Sequence, residues 1–109
     1  LIGGIAMKHT GDLEITKNNA AQYKDLTEVD GWVYVYDGKF AANKLEKING
    51  WLTIHAGATM EAPVLQRVDG WLYVYGGATL TAPALSEVTE GRSIREGAIM
   101  DTPSLPPIP

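Results

Sequence analysis

From residue 11 onward, hydrophobic and polar positions alternate in short bursts, and the bursts recur. The aliphatic set is Leu13, Ile15, Val33, Val35, Leu52, Ile54, Leu72 and Val74. The interleaved set is Asp12, Glu14, Thr16; Trp32, Tyr34, Tyr36; Trp51, Thr53, His55; and Trp71, Tyr73, Tyr75. A period of two belongs to a strand, whose successive side chains leave on opposite faces. The β-branched and aromatic content, with glycine on either side, argues for strand over helix. The aliphatic parity is therefore expected to face a core and the aromatic parity to face outward. A slip of one residue would invert every assignment.

Each burst is followed at fixed spacing by a Leu-x-x-Val/Ile pair: Leu26/Val29, Leu45/Ile48, Leu65/Val68, Leu85/Val88 and Leu105/Ile108. Five residues before each leucine stands a further core candidate: Ala21, Phe40, Met60, Leu80 and Met100. The units are 11–30, 31–49, 50–69, 70–89 and 90–109, the second one residue short at Asp37-Gly38-Lys39. Repetition at this period predicts stacked coils. No unit holds enough apolar surface to fold alone, so neighbours must stabilise one another. The expectation is an all-β, single-domain parallel β-solenoid (β-helix) of about five coils, a rod about 24 Å tall at strand spacing.

The corners carry their own signals. Pro63, Pro83 and Pro103 fall in register, where a ladder donor is not needed. Asp30-Gly31, Asn49-Gly50 and Asp69-Gly70 are expected to enter each strand through a left-handed or bulged turn open to glycine. The fifth unit departs from the pattern: Glu90 replaces the glycine, Gly91 the tryptophan and Arg92 an inner aliphatic. Either it is a polar terminal cap, or the strand is lost there and the tail pairs with another chain. Residues 1–10 form an N-terminal segment. Within it residues 1–6 match no repeat and read as an extension foreign to the domain, with Met7-Lys8-His9-Thr10 as a natural start. Residues 106–109 are a proline-rich tail.

The motif Leu65-Gln66-Arg67-Val68-Asp69-Gly70-Trp71-Leu72-Tyr73-Val74 resembles the leucine-rich β-solenoid repeats of receptor L domains. The half-repeat Gly77-Ala78-Thr79-Leu80-Thr81-Ala82-Pro83-Ala84-Leu85 is similar to short repeat proteins of bacterial and phage or prophage genomes. The resemblance spans residues 11–105 and implies a fold. It transfers no site residues, because the matching positions are structural and solenoids host unrelated functions.

Composition narrows the function classes. The net charge of −4 disfavours nucleic acid, which calls for a basic stripe. No apolar run reaches membrane-spanning length. The chain has no cysteine, which excludes disulfides and thiolate metal sites and fits a reducing, cytoplasmic setting. Of three Trp, five Tyr and one Phe, seven lie on the outward parity of three strands. Trp32/Trp51/Trp71, Tyr34/Thr53/Tyr73 and Tyr36/His55/Tyr75 should form three columns with rungs about 4.8 Å apart. A patch of that size and composition predicts a binding face. The expected partner is a protein, including a second copy of the chain in a homo-oligomer. The alternative is carbohydrate stacked on the rings. The plainer reading is that the rings plate the sheet or lie under the N-terminal segment or tail. No catalytic, metal or cofactor site is expected. His9 and His55 lack a positioned partner, Ser86, Ser93 and Ser104 stand outside any nucleophile elbow, and Glu28, Asp30, Asp69 and Glu87 read as solvated edge charges and turn caps.

Overall fold

The computed structural model describes residues 7–107. All eight aliphatic residues of the inner parity are buried, none more than 3% exposed. They form one of three parallel sheets that wrap a single core. This sheet stacks Leu13–Ile15, Val33–Val35, Leu52–Ile54, Trp71–Val74 and Gly91–Ile94 in chain order. A second sheet stacks Lys8–Thr10, Glu28–Asp30, Lys47–Ile48, Arg67–Val68 and Glu87–Val88. The third contains Lys39–Ala41, Thr59–Glu61, Thr79–Thr81 and Ile99–Asp101. Every pairing is parallel and joins like positions of adjacent units, for example Leu72 to Leu52 and Leu80 to Met60. The fold is thus a parallel β-solenoid of about five coils, in which the aliphatics of the first two sheets meet Phe40, Met60 and Leu80 of the third inside.

Two corners follow directly from residue chemistry. After the first strand of a coil, the Ala58 N–H donates to the His55 carbonyl, and Ala78 repeats the bond to Tyr75. The residues in the third position of these turns, Gly57 and Gly77, both have φ of 84°. That is the geometry of a type II turn, which favours glycine there. At the next corner the Leu65 N–H donates to the Ala62 carbonyl across Pro63, and Leu85 to Ala82 across Pro83. Proline suits the second position of such a turn, since its φ is preset and no donor is lost from the ladder.

The glycines at the third corner serve a different purpose from the one expected. Gly31, Gly50 and Gly70 do not have positive φ. A Cβ on Gly31 would lie 2.4 Å from the Gly11 carbonyl, and one on Gly50 would lie 2.4 Å from the Gly31 oxygen. Glycine is therefore needed because successive coils bring their backbones together at this corner.

The first and last coils differ from the middle three. Ala21 is not a core residue: it is exposed, and the neighbouring Ala20 is buried instead. The reason is local. Asn19 accepts from the Thr16 N–H through Oδ1 and donates to the Glu14 carbonyl through Nδ2, and this side-chain bonding competes with a ladder. The chain turns into a short 3-10 helix, Ala20–Tyr23, where later coils have a strand of the third sheet. At the other end the strand is retained, since Gly91–Ile94 pairs in full register with Trp71–Val74. Arg92 stands in the inner column beside Leu72, and its guanidinium donates to the Pro106 carbonyl at 2.7 Å. Arg92 is the polar inner position of the fifth coil, whose Ile94, Ala98, Met100 and Leu105 still pack, partly buried, against the core. The expectations for residues 1–6 and for Ile108 lie outside the described residues.

Candidate functional site: the aromatic face

Because the inner parity of the first-named sheet is buried, its outer parity has to carry the remaining side chains of the same strands. The register places Tyr34 beside Thr53 and Thr53 beside Tyr73. Trp32 and Trp51 stack with ring centroids 4.5 Å apart and planes within 4°. Tyr36, His55 and Tyr75 form a second stack, at 4.8 and 5.1 Å. The tryptophan column is not uniform, however. Trp71 stacks on Tyr73 of its own strand, and Trp51 leans against the same tyrosine at 52°. On the other side of Trp71 the next rung is Gly91, which has no side chain to extend the column. A Cβ there would lie 2.7 Å from the Trp71 ring.

All nine predicted site residues occupy this face, with graded accessibility. Trp32, Tyr36 and Tyr75 are 36–39% exposed. Trp51, Trp71, Tyr34, Tyr73 and His55 are half-buried among their neighbours. Thr53 was expected to present its side chain, but it is 7% exposed and forms the floor between two tyrosines. Burial pushes the Tyr34 phenol above its usual range, and the charges of Asp12, Tyr36 and Glu14 add to the effect.

The ends of the face carry charges that the aromatic pattern alone does not highlight. In the first coil Glu14 continues the Tyr34 column. Asp12 lies next to it and accepts the Trp32 backbone N–H at 2.9 Å. In the fifth coil Arg95 sits 6.0 Å from the centre of the Tyr75 ring, within cation–π range. Parity was the available signal for all three, since they share the outward phase of the aromatics. The other faces differ in kind. On the second sheet Lys8 pairs with Glu28 and Asp30, and Arg67 with Glu87 and Asp69. On the third, Lys39 pairs with Glu61.

Ser93 occupies the rung beside Tyr73 at the fifth-coil end of the aromatic face, and other candidates are engaged in structure. Ser86 Oγ donates to the Gln66 carbonyl and Ser104 Oγ to the Pro83 carbonyl. His9 packs edge-on against Tyr23 at 5.9 Å. Among the described residues no group of three or more His, Cys, Asp or Glu could hold a metal ion, and no helix is long and apolar enough to cross a membrane. Comparison with protein-family models, curated proteins and solved structures gave no match to this chain.

Proposed function

We propose that the protein is a non-enzymatic interaction module that binds a protein partner through the Trp/Tyr face of its solenoid. The observation that supports this is the contrast between faces. The second and third sheets carry ion pairs on their outer faces, with Ile99 as an isolated exposed aliphatic on the third, while the aromatic sheet keeps Trp32, Tyr36 and Tyr75 together, each more than a third exposed. Large aromatics fixed on a rigid sheet contribute contact area at low entropic cost, which is why they dominate binding hot spots. The likeness of the repeats to receptor L-domain leucine-rich repeats and to short bacterial or phage repeat proteins fits a recognition role, and the cysteine-free sequence fits a reducing, cytoplasmic setting. In a phage setting the partner class is a host protein.

Carbohydrate remains the second reading, and the ring geometry weighs against it. Sugars stack on free ring faces. Here His55 has rings on both sides, and Trp32 and Trp51 cover each other. A protein surface, which can use ring edges as well as faces, is the better match. The test is a photo-crosslinking amino acid placed at Tyr36 or Tyr75 in the full chain. A protein adduct at both positions and none from a control at Gln66 is expected. Absence of any adduct, with tryptophan fluorescence quenched by glycans instead, would replace this reading with the carbohydrate one.

A further inference from the structure

Glu14 and Arg95 lie at opposite ends of the aromatic face, in the first and fifth coils, and neither is in an ion pair among the described residues. Asp12, at the same end as Glu14, is held by the Trp32 backbone N–H. The outward side chains of the face therefore run from Asp12 and Glu14 in the first coil, through the aromatics, to the single cation Arg95 in the fifth, with the exposed Glu96 next to it in the chain. Such a pattern is complementary to itself once reversed, which is the condition for a two-fold symmetric contact.

We propose that the partner of this face is a second copy of the chain, docked face to face so that Glu14 of each copy meets Arg95 of the other. This rests on the reading of the face as a protein-binding surface. The two-fold axis lies in the plane of contact, passes near Thr53 at the low centre of the patch, and exchanges the first and fifth coils. Aromatic ridges of one copy then meet those of the other, and both charged ends are paired. Five strands at about 4.8 Å by about 17 Å of strand give roughly 400 Å² of face per copy. That is below the area of a standard stable interface, so the dimer is concentration-dependent.

Sedimentation equilibrium of the full chain, from about 1 μM to 1 mM, tests the arrangement by charge exchange. Arg95→Glu and Glu14→Arg each place like charges opposite one another and are expected to raise the dissociation constant about tenfold or more. The double variant exchanges both ends and restores the complementarity, so its constant should return to within about threefold of wild type. Both side chains lie outside the core, and far-UV circular dichroism confirms that each variant folds. A wild type that is monomeric throughout overturns the second-copy proposal, as does a double variant no tighter than the singles. If adducts to other proteins still form at Tyr36 and Tyr75 in that case, the binding-face reading stands without self-association; if none form, both fall.

Discussion

A Cβ at Gly50 would sit 2.4 Å from the Gly31 carbonyl oxygen, whereas one at Gly57 meets nothing within 4 Å. Gly57 is instead constrained by its φ of 84°. The two glycines recur at the same period but answer to different physics, one to coil spacing and one to chain handedness. Gly57→Ala is expected to cost about 1 kcal/mol, the usual penalty of a left-handed alanine. Gly50→Ala must push two coils apart and should cost about 3 kcal/mol, at the upper end for overpacking. Urea unfolding midpoints compare them, and equal losses would show that the close approach at Gly50 is not what requires glycine.

At the scale of one coil, each turn of chain adds a layer that is finished only by its neighbours. Leu65 is fully buried in the third coil between Leu45 and Leu85 of the adjacent units. Leu105 occupies the same position in the fifth coil but is only partly buried, with no described layer beyond it. Leu65→Ala should therefore cost about 3 kcal/mol, in the range of a core cavity. Leu105→Ala should cost about 1 kcal/mol or less, because part of its surface already meets water. Thermal unfolding of the two variants gives the ranking, and a reversed order would contradict the direction of stacking. The first coil makes the complementary point. Its Asn-rich corner diverts the third strand into a 3-10 helix without disturbing Leu13, Ile15 or Leu26, all of which stay buried.

At the scale of the whole molecule, the end of the stack is where association could start, since the edge strands Gly91–Ile94 and Ile99–Asp101 have a neighbour on one side only. An inward-pointing charge is one of the ways that proteins protect such an edge. Arg92 supplies it: its guanidinium replaces the aliphatic of the inner column and is tied to the Pro106 carbonyl. Arg92→Leu should expose an apolar layer and add end-to-end association. Light scattering would show this as a mass that rises with concentration even when Arg95→Glu is also present. No change in mass would mean that the tail, not the charge, closes the end.

Side-chain parity along Trp32–Tyr36, 51–55 and 71–75 determined which residues form the core and which form the face, because alternation and a fixed period leave a stacked chain only one way to bury its aliphatics. Proline register likewise located a corner. Other features required the fold. Whether glycine served handedness or close approach depended on backbone distances between coils about twenty residues apart in sequence. The accessibility of Thr53, the tilt of Trp51 against Tyr73, the packing of the Trp71 ring against Gly91 and the placement of Arg95 near the Tyr75 ring were set by neighbours in adjacent coils. Local sequence specifies the direction in which a side chain leaves the strand; what it then meets is decided only when the coils are stacked.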